Sequence, residues 1–87
     1  MLVEIRDSSI KLEIPGKAGE QYIIEEGRPI DPVIFGLAHR YPGALSEAVG
    51  KLIIEAPFLD NGSRRFVNSV ADSLNTAIIA VRNSEEF

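Results

Sequence analysis

Gly50-Lys51-Leu52-Ile53-Ile54-Glu55-Ala56-Pro57-Phe58-Leu59-Asp60-Asn61-Gly62-Ser63-Arg64-Arg65-Phe66-Val67 holds the sharpest change of pattern in the chain. Residues 51–56 form a short apolar run with β-branched Ile53 and Ile54. The run stops at Pro57, which has no N–H to give to a central ladder, so it reads as a strand. Asp60-Asn61-Gly62-Ser63 is rich in side chains that cap helices or tolerate turns. Beyond it Val67, Val70, Ala71, Leu74, Ala77, Ile78 and Val81 recur at helical spacing and predict one long helix over 64–82. Its stripe is the largest apolar surface in the chain, so the other elements must pack on it.

Upstream, Val49-Gly50-Lys51 suits a hairpin turn, which predicts a strand over 44–49 paired with 51–56. Asp31-Pro32 places a carboxylate at a helix N-cap and proline at the first helical position, where its missing N–H costs nothing. Val33, Ile34, Leu37 and Ala38 then supply one stripe, and Tyr41-Pro42-Gly43 stops the helix. Residues 19–26 read either as a two-turn helix with Gly27 as its stop or as a strand favoured by Tyr22, Ile23 and Ile24; the helix is carried forward. At the N-terminus Val3 and Ile5 alternate with Glu4 and Arg6, and Ile10, Leu12 and Ile14 with Lys11 and Glu13. That is strand material ending at Pro15-Gly16, with Ile10, Leu12 and Ile14 facing the core and a turn or kink at Asp7-Ser8-Ser9. The expected architecture is a single α+β domain over 1–87, a two-layer sandwich with helices on one face of a small antiparallel sheet, in the order β-α-β-β-α.

A chain of 87 residues has a thin stability margin. It has no cysteine, and its one histidine cannot hold zinc, so neither a disulfide nor a metal staples it. Association with another subunit is the usual remaining remedy. A formal charge of −4 argues against a general nucleic-acid binder and leaves room only for a local basic patch. No apolar run approaches the roughly 20 residues that span a bilayer, so no membrane partner is expected. Glu4 breaks any signal-peptide character, and the cytoplasm is the expected compartment.

Catalytic patterns are not apparent. His39 has no evident orienting partner and suits a surface site near a helix C-terminus. Neighbouring residues on a helix point about 100° apart, so neither Glu25-Glu26 nor Glu85-Glu86 builds a shared acid–base site. No serine elbow or phosphate-cradling glycine pattern occurs, so an enzyme is not expected, and no cofactor or metal. One constellation has physical content: Asn61-Gly62-Ser63-Arg64-Arg65 places two arginines at a helix N-terminus, which favours anions. Arg64 and Arg65, with Asn68 a turn further on, are the candidate RNA or phosphate contacts. In the competing arrangement Asp60 caps the helix and the arginines pair with surface carboxylates. The polar side of the long helix carries short residues (Asn68, Ser69, Asp72, Ser73, Asn75, Thr76), which permit close approach by another backbone, while Ile79 lies off the apolar stripe.

Gly50–Ala56, Asp60, Arg64-Arg65-Phe66-Val67-Asn68-Ser69, Leu74 and Ala77-Ile78 together resemble the C-terminal half of the small dimerisation subunit of the KEOPS complex, the Pcc family. The family's helix-opening Arg-x-x-Val-Asn-Ser-like string maps onto Arg64, Val67, Asn68 and Ser69, and Ile10–Pro15 is similar to its first strand and exit. The resemblance implies a strand–helix–strand–strand–helix fold and a homodimer or a heterodimer with a paralogue. It also implies docking onto the catalytic subunit that makes threonylcarbamoyladenosine in tRNA, with Val67, Val70, Ala71, Leu74 and Ile78 divided between core and partner interface. The chain departs from the family where Gly27, Pro29 and Pro32 interrupt the first helix and where Pro57-Phe58-Leu59 lengthens the loop. A second resemblance, of Val33–Phe35 through Tyr41-Pro42 and Leu52–Glu55 to subunit L of archaeal RNA polymerase, lacks that family's helix-opening signature at Lys17–Glu20. Both resemblances imply a small non-catalytic assembly module; the first adds tRNA modification. A module binding RNA or phosphate through Arg64 and Arg65 is the alternative.

Overall fold

A computed structural model describes residues 2–14, 20–28 and 31–85, without the side chains of Asp31 and Glu85. The expected stop at Pro15-Gly16, the Asp31 cap and the Glu85-Glu86 pair lie outside the described residues. The elements are β1 (Leu2–Ile5), β2 (Ser9–Glu13), β3 (Gln21–Glu25), α1 (Asp31–Arg40), α2 (Pro42–Glu55), a 3₁₀ turn (Ala56–Phe58) and α3 (Asn61–Glu85).

The three strands form an antiparallel sheet in the order β1-β2-β3, with Ile5 opposite Ile10, Val3 opposite Leu12, and Ile10 opposite Ile24. The β1–β2 turn is closed by the Arg6 N–H donating to the Ser9 carbonyl at 2.9 Å. Alternation does the rest: Ile10 and Leu12 are fully buried and Ile14 nearly so, while Ile23 is 63% exposed on the opposite face. One sheet face therefore carries the core and the other is open. The class is α+β, as the sequence implies.

Two segments correct the expected element order. Residues 21–25 form β3, not a helix, because Tyr22 and Ile24 face their β2 partners Leu12 and Ile10. Gly27 does adopt a left-handed φ of 83°, but it turns the chain after a strand. The larger correction concerns the strands expected at 44–49 and 51–56, which are both part of α2. Leu45, Ala48, Leu52 and Ala56 are buried at spacings of three and four, one helical stripe running through the supposed hairpin. Gly50 does not turn the chain, since Gly27 is the one described glycine with positive φ. Tyr41-Pro42-Gly43 does end α1, but Pro42 also opens α2, where the missing N–H has no partner to lose.

In α1 the buried stripe is Ile34, Leu37 and Ala38, with Val33 left 45% exposed. The third helix is longer than its expected 64–82, about 37 Å at 1.5 Å per residue. It buries Phe66, Val67, Val70, Ala71, Leu74, Ala77, Ile78 and Val81 and packs on both α1 and α2. Ile79, off this stripe, is 48% exposed. All described buried residues are hydrophobic, so the interior makes no polar demands.

Candidate association surface

Asp60 sits one residue before α3, and its Oδ1 accepts the backbone N–H of Ser63 at 2.8 Å. That bond holds the Asp60 carboxyl below its ordinary pKa. The chain's own carboxylate thus caps the helix N-terminus, the arrangement set against a phosphate in the reading of the sequence. Arg64 turns back from the first turn, donating from Nη2 to the carbonyls of Leu59 at 3.2 Å and Pro57 at 3.5 Å. Its position against the helix dipole is explained by these carbonyls at the end of the preceding turn. Arg65 and Asn68 are exposed; Arg65 lines a cleft of about 270 Å³ with Arg28 but also with Glu25 and Glu26. Arg28 is already paired with Glu25 at 2.9 Å. The arginines do not converge on one uncompensated anion site.

The five residues expected to divide between core and partner are all buried within the single chain: Val67, Val70, Ala71, Leu74 and Ile78 are between 0% and 7% exposed. Their burial between α3 and its neighbours leaves them little surface for another molecule. His39 is exposed on α1, and among the described residues no group of His, Cys, Asp and Glu is placed to hold a metal ion. Among the same residues no helix is long and apolar enough to cross a membrane.

A polar cluster that sequence reading does not find ties β3 to the α1–α2 corner. The Tyr22 hydroxyl donates to Glu20 Oε1 at 2.6 Å, Arg40 donates to the Tyr22 oxygen at 3.0 Å, and the Tyr41 hydroxyl donates to Glu20 Oε2 at 3.3 Å. Arg40 also lies 5.7 Å from the Tyr41 ring centroid. The hydrogen bond to Glu20 raises the Tyr22 pKa, because it favours the protonated phenol. The residues come from separate turns, so no spacing in the sequence announces them.

The surface that does stand out lies at the end of α2. Phe58 is 81% exposed, Ile54 67% and Ile53 56%. Ile54 and Phe58 are four residues apart across a continuous helical path, which puts them on one side. Beside them a groove of about 550 Å³ runs between β1 and the end of α2, lined by Val3, Glu4, Ile5, Lys51, Ile54, Glu55 and Leu59. Val3 and Ile5 are only partly buried, and β1 is an edge strand. Reading 51–56 as a strand hides this surface, because it credits Ile53 or Ile54 to a sheet interior. As a helix, Leu52 and Ala56 are the inward pair and both isoleucines point out. Compared with protein-family models, curated proteins and solved structures, the chain matches none of them.

Proposed function

We propose that this chain is a non-catalytic assembly module, acting in the cytoplasm, which works by associating with a copy of itself or a closely similar chain. The observation that carries this reading is exposed Ile54 in the groove beside the open edge of β1, with Phe58 exposed one turn further on the same side and Ile53 exposed next to it. Large apolar side chains gathered next to unpaired strand edge mark a site of association, since water satisfies the backbone there but gains nothing from the side chains. The proposal does not lean on the KEOPS likeness. Gly50–Ala56, which that likeness takes for a strand, is helical, whereas the string Arg64, Val67, Asn68 and Ser69, with Leu74 and Ala77-Ile78, lies in a helix and Ile10–Glu13 in a strand, as the likeness leads one to expect. A catalytic tRNA-modifying subunit is the second partner class that string supports.

Sedimentation equilibrium tests the proposal. A dimer at micromolar concentration is expected, reverting to a monomer of unchanged helical signal in Ile54→Glu/Phe58→Glu. A well-folded monomer at all concentrations would sink it.

A further inference from the structure

We propose that β1 pairs antiparallel with β1 of a second copy, with Ile5 facing Ile5 across a two-fold axis, so that two three-stranded sheets join into one. The inference rests on the self-association proposed above and specifies its joint.

The direction of the backbone groups comes first. The Arg6 N–H is spent on Ser9 within the hairpin. Hydrogen-bonded and non-hydrogen-bonded pairs alternate in an antiparallel ladder, so Glu4 also turns its backbone groups towards β2, and Val3 and Ile5 turn theirs outward. The free edge therefore offers the N–H and C=O of Val3 and Ile5, which a copy in the antiparallel sense can meet.

Charge then selects the register. Opposing residues in an antiparallel pair share a face, so the axis must pass through a residue for Val3 and Ile5 to stay on the core side. An axis on Glu4 would oppose two carboxylates, which is destabilising. An axis on Ile5 opposes Glu4 with Arg6 of the partner subunit, and does so twice. Within one chain Glu4 and Arg6 already reach each other at 3.1 Å on the open face, so both are placed to pair across the joint. The helix above repeats the pattern. Lys51, which also pairs with Glu47 at 3.4 Å, and Glu55 line the same groove four residues apart, so the helix too presents both signs of charge to a copy. The axis is perpendicular to the sheet, so both helical layers lie on one side and the two Ile54 side chains approach over the joined strands. Contact with a copy thus covers Ile5 and closes the edge at that end of β1, with Val3 opposite the Asp7-Ser8 turn of the partner subunit.

The chain has no cysteine, which gives a clean test. Glu4 and Arg6 of opposite copies would form a non-hydrogen-bonded pair with Cα atoms about 4.5 Å apart, within disulfide range. Glu4→Cys and Arg6→Cys proteins, each checked for folding by circular dichroism, are mixed and oxidised; the mixture keeps one of the two charge pairs. A covalent heterodimer is expected from the mixture, with either variant alone near background. Sedimentation of the unaltered chain runs in parallel. A dimer without that cross-link, or with faster linking by Glu4→Cys alone, overturns the joint and leaves self-association standing. A monomer overturns both.

Discussion

The Oδ1 of Asp60 lies 2.8 Å from the backbone nitrogen of Ser63, and this one bond both starts α3 and closes its N-terminus to other anions. Removing it with Asp60→Ala is expected to lower Tm by roughly 3–10 °C, the range for a lost N-cap in a domain of this size. The sign with pH follows from the lowered carboxyl pKa. A depressed folded value means the stabilisation is present above the ordinary aspartate range and is lost as pH falls through the folded value. Thermal unfolding of both proteins should therefore diverge most near neutrality and converge in acid. A gap in Tm that does not narrow as the pH falls from neutrality into acid would remove the charged cap as its cause.

Leu74 lies at the middle of the α3 stripe with no exposed surface. Leu74→Ala is expected to cost about 2–5 kcal/mol, and Leu74→Asp to unfold the chain, since a carboxylate there would have no partner. Because Leu74 is buried within one chain, the Ala variant should be destabilised by the same amount at every protein concentration. Denaturant unfolding across a hundredfold range of concentration checks this. A cost that appears only at high concentration would return Leu74 to a partner interface.

The α3 stripe and the β1–β2 alternation are legible because each matches a single period. Ile10, Leu12 and Ile14 alternate with charged neighbours, and Val67, Val70, Leu74, Ile78 and Val81 recur with polar residues between. The segment from Leu45 to Ala56 defeats the same reading because apolar residues occupy both faces of α2 at its end. Leu52 and Ala56 serve the core while Ile53 and Ile54 do not, and a continuous apolar run carries no period. Tyr22-Ile23-Ile24 is too short to choose between helix and strand until Ile10 and Leu12 are seen opposite it. At the candidate site, spacing identifies the α3 stripe as apolar but does not say what buries it. The backward reach of Arg64 to Leu59 and Pro57 depends on how the 3₁₀ turn ends.

Tyr22 shares its hydroxyl between Glu20 and Arg40. In a Tyr41→Phe background, which leaves one tyrosine, ultraviolet titration should place the Tyr22 phenol above the ordinary value of 10.0. Glu20→Gln should bring it down, because the carboxylate that favours the protonated phenol is gone. The raised value also means that the stability contributed by this contact is complete below the unfolded pKa and is lost as pH rises through the folded one. An unchanged titration in Glu20→Gln would show that the hydrogen bond does not control the phenol.

Gly50 and Gly27 together decide between the helical α2 and the hairpin that its sequence suggests. Gly50 lies within the helix at negative φ, and an added Cβ would meet nothing within 4 Å. Gly50→Ala should therefore raise stability by about 0.5–1 kcal/mol, or Tm by several degrees, since alanine loses less backbone freedom on folding. At the tip of a hairpin the same residue would need left-handed backbone, and alanine would cost stability instead. Gly27 supplies the contrast. Its φ of 83° is unfavourable for a side chain although the space around it is open. Gly27→Ala should accordingly cost about 1–2 kcal/mol from backbone strain alone. Opposite shifts in Tm for the two variants, read by circular dichroism, are what the helix requires; a fall in both would restore the turn at Gly50 and dismantle the surface built from Ile54 and Phe58.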